Sequence, residues 1–168
     1  MPTPDDTPSF RLAARLGQLL RARSLRLVCA ESCTGGWIAK TITDVAGASS
    51  WFEASVTVYS DAVKQRLLGV PPQTIAQYGA VSGETAAAMV SGALAVTSAD
   101  MALAVTGIAG PDGGNDRKPV GTVWLAWQQR QSAVLVAHYR FDGDRNAIRC
   151  QSVNAALRGV VHYLSQSV

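Results

Sequence analysis

The sequence has 168 residues, 48% of them hydrophobic and 16% charged, which excludes a disordered chain and suffices for one domain with a full core. No apolar run approaches the length of a membrane span, and the acidic, proline-bearing start MPTPDDTPSF lacks the basic and apolar regions of a signal peptide. The formal charge of +3 hints at anionic partners, but the cluster Arg11, Arg15, Arg21, Arg23 and Arg26 reads as a solvated face rather than a nucleic-acid surface.

In chain order, residues 1–8 read as a disordered lead-in and residues 9–168 as a single domain. Phe10, Leu12, Leu16, Leu19 and Leu20 recur at helical spacing and predict a first amphipathic helix. Leu25–Ala30 reads as a buried strand, Gly35–Thr43 as a short helix capped by Ser or Thr, and Ala54–Tyr59 as a second strand. Asp61–Leu68 is helical and is closed by Gly69 and the Pro71-Pro72 pair. Ser82 caps an alanine-rich helix that runs to about Ser98, with Glu84 in its first turn. Met101–Thr106 is a third strand, and GIAGPDGGNDRKP is irregular. Val120–Trp127 and Ala133–Phe141 form a hairpin across QQRQS, and a last helix spans about Gly143–Ser165.

Strands separated by helices and followed by one hairpin predict a three-layer α/β/α sandwich with a mixed, mostly parallel sheet. Sites in such sheets gather at the carboxyl ends of the parallel strands. ESCTGG, YSDAVK and TGIAGPDGG all fall at those ends.

The three cysteines are an odd number, which argues against a disulfide framework and for a reducing, cytoplasmic setting. Their spacing is irregular for zinc, and the loop aspartates Asp112, Asp116, Asp142 and Asp144 lack the spacing or histidine partners of a metal site. Hydrolysis by a serine needs an exposed hydroxyl, a base and donors for the oxyanion. Ser32 sits at a strand end before a helix, where N–H groups from Cys33 to Gly36 would face outward. Cys33 is a rival nucleophile, but nothing local activates it, and it reads as a packing residue.

A base is less obvious. His138 lies in a strand and His162 in the last helix, and both read as structural. Lys64 follows the second strand at the correct end of the sheet, with Tyr59 available as a proton relay. On spacing alone, a solvated helix lysine remains the simpler reading of Lys64. The loop 107–114 has neither a Walker A nor a G-x-G-x-x-G pattern, yet Thr106-Gly107 and its glycines could offer N–H groups to a phosphate. Arg145 combines a guanidinium with a helix start, which suits the same ligand.

AESCTGG, TDVAGAS, VYSDAVK, LLGV, YGAVSGETA, AVTGIAGPDGG, KPVGTVW and FDGDR occur in one order over about Leu12–Leu164. In these motifs the chain resembles the C-terminal domain family of the competence/damage-inducible protein CinA. The resemblance implies an α/β/α fold and, as in the stand-alone members, hydrolysis of nicotinamide mononucleotide to nicotinate mononucleotide and ammonia, within NAD recycling. It implies catalytic roles for Ser32, Lys64 and Tyr59. It also implies substrate contacts from Glu31, Cys33, Thr34, Gly35, Gly36, Ser49, Thr106, Gly107 and Arg145.

No cofactor and no metal is implied, nor a nucleic-acid or membrane partner; the implied assembly is a homodimer. Asp61 stands where the family more often has Asn, and Gly83 where Glu is common. The first domain of longer CinA proteins is not carried over. A non-catalytic nucleotide-binding module of the same fold, or an amidase for another small amide, is the competing expectation.

Overall fold

A computed structural model describes residues 7–166. Residues 1–6 of the expected lead-in lie outside the described residues; its last two do not, since Thr7 caps and Pro8 begins the first helix. The elements in chain order are α1 (Pro8–Ala22), β1 (Leu27–Glu31), α2 (Trp37–Thr43), a short 3₁₀ turn (Ala48–Ser50), β2 (Phe52–Thr57), α3 (Asp61–Leu68), α4 (Pro72–Tyr78), α5 (Gly83–Ala95), β3 (Met101–Gly107), β4 (Thr122–Gln129), β5 (Leu135–Arg140) and α6 (Arg145–Gln166). The sheet order is β2-β1-β3-β4-β5. The pairings β1–β2 and β1–β3 are parallel, whereas β3–β4 and β4–β5 are antiparallel, so only β4 runs against the other strands.

The alternation within the central strands sorts the two faces. Leu27 and Cys29 of β1, with Met101, Leu103 and Val105 of β3, pack with α1, α2 and α6. Val28 and Ala30, with Ala102 and Ala104, meet α5 instead. Small residues on that face let the alanine-rich α5 lie close. At Gly92 a Cβ would overlap the Leu68 carbonyl oxygen, so glycine at this position is what allows α5 to press on the end of α3. The helix that carries Lys64 is thereby held against the core.

One helix, α4, was not expected, because Pro71-Pro72 reads as a terminator. Pro72 instead occupies the first turn of α4, where a missing N–H costs nothing. No helix among the described residues is long and apolar enough to cross a membrane.

Candidate active site

Three strand ends converge on one edge of the sheet. After β1, Ser32 donates its N–H to the Val105 carbonyl of β3, which fixes it beside both strands. After β2, Ser60 caps α3 by accepting from the Val63 N–H. Lys64 lies one turn into α3, and helical side chains lean toward the N-terminus, so its stem runs back to the strand end.

Lys64 Nζ lies 3.1 Å from Ser32 Oγ, and it donates to the Val58 and Tyr59 carbonyls at 3.3 and 2.9 Å. Lys64 is 1% exposed and Ser32 7%. Burial lowers the pKa of Lys64 from the ordinary lysine value, opposed in part by Asp61. The neutral amine has two N–H groups, and two carbonyls take them. Its lone pair is left for the third neighbour, the Ser32 hydroxyl. With the amine neutral, this geometry would let Lys64 accept the Ser32 proton.

The turn after Ser32 is shaped by Glu31. Its carboxylate is fully buried and accepts from Thr34 Oγ1 at 2.7 Å, the Gly36 N–H at 3.0 Å, the Ile38 N–H at 3.0 Å, the Ala39 N–H at 2.9 Å and Ser55 Oγ at 3.1 Å. Helix α2 begins after Gly36, which has no side chain to cap it, and Glu31 supplies the missing acceptor. This corrects two expectations. The cap of α2 is a carboxylate from the preceding strand, with Thr34 donating to it. Neither Glu31 nor the fully buried Thr34 side chain is open to a substrate.

The donors expected from Cys33 to Gly36 are also fewer. The Gly35 N–H donates to the Ser32 carbonyl and the Gly36 N–H to Glu31, so neither is free for an oxyanion, and the Cys33 N–H lies against its own thiol. Gly35 and Gly36 have φ of 62° and 91°, which explains the glycine pair. Cys33 is buried and its thiol is pushed up to about 12, chiefly by that burial, so it stays protonated.

Tyr59 does not bridge Ser32 and Lys64. Its carbonyl holds Lys64, while its phenol, on a side chain 64% exposed, accepts from Arg145 Nη2 at 3.2 Å. Arg145 Nη1 donates to the Gly110 carbonyl at 2.7 Å, so Arg145 ties the loop after β3 to the end of β2 at the rim. Asp144 caps α6 below it.

Thr106 is buried, and its hydroxyl donates to the Ala80 carbonyl, so it fixes the loop before α5 rather than facing a ligand. Gly107 closes β3 where a Cβ would press on Val123 and the Thr122 carbonyl. Ser49 is exposed in the 3₁₀ turn before β2, at the start of the parallel strands. The length of β1 therefore separates it from Ser32, roughly 15 Å along the strand, so within one chain it does not join the site.

Sequence reasoning missed Arg149. Its Nε donates to the Cys33 carbonyl at 3.1 Å and its Nη2 to the Thr34 carbonyl at 2.8 Å, with the guanidinium 5.2 Å from the Trp37 ring centre. Its position four residues after Arg145, on one face of α6, was the available signal. Gly35, Gly36, Trp37, Lys40 and Arg149 line an open pocket of about 330 Å³ beside the turn. Among the described residues, no group of three His, Cys, Asp or Glu side chains could hold a metal ion.

A family model described as the CinA C-terminal domain matches residues 9–164. The chain belongs to the CinA C-terminal domain family. It is 54% identical over 154 residues to a Pseudomonas putida protein named nicotinamide-nucleotide amidohydrolase PncC, covering 92% of this chain and 96% of the relative. A protein of the same name from Escherichia coli K12 is 46% identical over 153 residues, covering 91% and 93%. The crystal structure of the competence/damage inducible protein CihA from Agrobacterium tumefaciens superposes with a TM-score of 0.92 at 40% identity, covering 95% of this chain and 97% of that one. The mixed α/β sheet is thus that of the family.

Proposed function

We propose that this chain is a nicotinamide-nucleotide amidohydrolase that uses Ser32 as nucleophile and Lys64 as general base. The observation that carries the reading is the 3.1 Å approach of a buried lysine amine to a serine hydroxyl at the carboxyl end of the parallel strands. The names of the relatives at 54% and 46% identity support the substrate.

Neutral Lys64 takes the Ser32 proton as Oγ attacks the carboxamide carbon of nicotinamide mononucleotide. The carbonyl oxygen becomes an oxyanion facing the Thr34 N–H group. As the tetrahedral intermediate collapses, the C–N bond breaks, the Lys64 ammonium returns its proton to nitrogen, and ammonia leaves. Lys64 then takes a proton from water, the hydroxide attacks the ester, and Ser32 regains its proton as nicotinate mononucleotide departs. One water is consumed for each ammonia released. Arg145 at the rim and the loop after β3 bind the 5′-phosphate, through the guanidinium N–H groups that Gly110 and Tyr59 leave free.

The product is an acid that pyridine-nucleotide synthesis can return to NAD, which fits an enzyme of the cytoplasm. A homodimer completes this reading, and light scattering on the purified chain tests it. The function itself is tested by incubating purified protein with nicotinamide mononucleotide and measuring ammonia and nicotinate mononucleotide. Equal amounts of both are expected. A folded protein that binds the nucleotide and releases neither would instead be the binding module.

A further inference from the structure

We propose that Arg149 is a positioning residue of the reaction, which sets and polarises the Thr34 N–H as an oxyanion donor. The inference rests on the serine-hydrolase reading of Ser32. The Cys33 carbonyl and the Thr34 N–H are two ends of one planar peptide group. Arg149 Nε donates to that carbonyl at 3.1 Å, and Nη2 donates to the next carbonyl, Thr34, at 2.8 Å. A cation on the oxygen draws charge through the peptide and makes its N–H a stronger donor.

The same bonds fix the plane of the peptide. Gly35 and Gly36 follow it with positive φ, and glycine allows such a turn to rotate readily. Glu31 holds the turn from one side through N–H groups, and Arg149 holds it from the other through carbonyls. Rotating the 33–34 peptide would break the Arg149 bond and turn the N–H away from the substrate. Trp37, under the guanidinium, limits the orientations Arg149 can adopt.

The test uses a probe that needs the oxyanion site but not the nucleotide. A fluorophosphonate is attacked at phosphorus by Ser32 Oγ; an O–P bond forms, fluoride leaves, and the serine proton passes to Lys64. The phosphoryl oxygen occupies the position of the oxyanion. Mass spectrometry then follows the rate at which Ser32 is modified.

Arg149→Met is expected to slow labelling by about ten- to a hundredfold, somewhat less than loss of an oxyanion donor outright. With nicotinamide mononucleotide, kcat should fall by a similar factor while KM moves less than about threefold, the pattern of a transition-state interaction. Arg149→Lys keeps the charge but not the paired donors, so it should fall between the two. It also carries the test if Arg149→Met does not fold. Labelling within twofold of wild type in a folded variant, or a loss confined to KM, would overturn the proposal. So would a wild type whose Ser32 is never labelled. A wild type that is labelled at Ser32 but releases no ammonia from the nucleotide would refute the substrate and leave the role of Arg149 standing.

Discussion

Lys64 Nζ reaches Ser32 Oγ across 32 residues of sequence, at 3.1 Å, with both side chains almost closed to solvent. Two different strand ends and one helical turn are needed to make this contact. In the proposed mechanism its chemistry depends on the amine being neutral. Burial lowers the pKa of Lys64 below the ordinary 10.5, with Asp61 pulling the other way. Activity should therefore rise with pH as Lys64 loses its proton, and kcat/KM should level off at a pH below 10.5.

Stability should follow the same group with a definite sign. Between its lowered folded pKa and the unfolded value, the unfolded chain binds more protons, so stability rises with pH across that window. Below the folded pKa the cost is complete, and above the unfolded value it is gone. The melting temperature of wild type minus that of Lys64→Met should increase across this window. A flat kcat/KM profile with a flat difference would show that Lys64 does not change protonation there.

Tyr59 offers a clear contrast between a relay and a rim residue. Its phenol meets Arg145, and only its backbone carbonyl meets Lys64. Tyr59→Phe should thus keep kcat within about threefold of wild type, with any change falling on KM. A proton relay would contribute about a hundredfold or more to kcat. Steady-state kinetics on the one variant separates the two roles.

Glu31 holds the turn from a fully buried position. Replacing its carboxylate by an amide puts an NH₂ group among five donors, leaving some of them unpaired in a buried place. Glu31→Gln should cost about 3 kcal/mol of unfolding free energy. Urea titration measures it, and a loss under about 0.5 kcal/mol would show that the turn does not depend on the charge.

The layered fold was legible because β1 and β3 are short, continuous apolar runs buried on both faces, and because the helix cap Ser82 declares itself locally. Helix α4 was not legible, since a proline pair has the same sequence whether it ends one helix or starts another. Ser32 and Lys64 could be singled out by their place at strand ends. Their contact could not, because a lysine's burial depends on elements distant in sequence.

Glu31 and Arg149 show the limit more sharply. The family resemblance implies a substrate contact for Glu31, and nothing in the sequence reading singles out Arg149. Only the packed turn shows that one serves its N–H groups and the other its carbonyls. The Thr106 hydroxyl is likewise committed within the fold, to the Ala80 carbonyl.

The most direct measurement is a double-mutant cycle on ammonia release from nicotinamide mononucleotide, with Ser32→Ala, Lys64→Met and both together. Nucleophile and base act as one unit in this mechanism, so each single variant should lose at least about a thousandfold in kcat, and the pair should lose little more than either alone. If Lys64→Met retained turnover within tenfold of wild type, or if the two losses simply multiplied, the Ser32–Lys64 mechanism would be wrong.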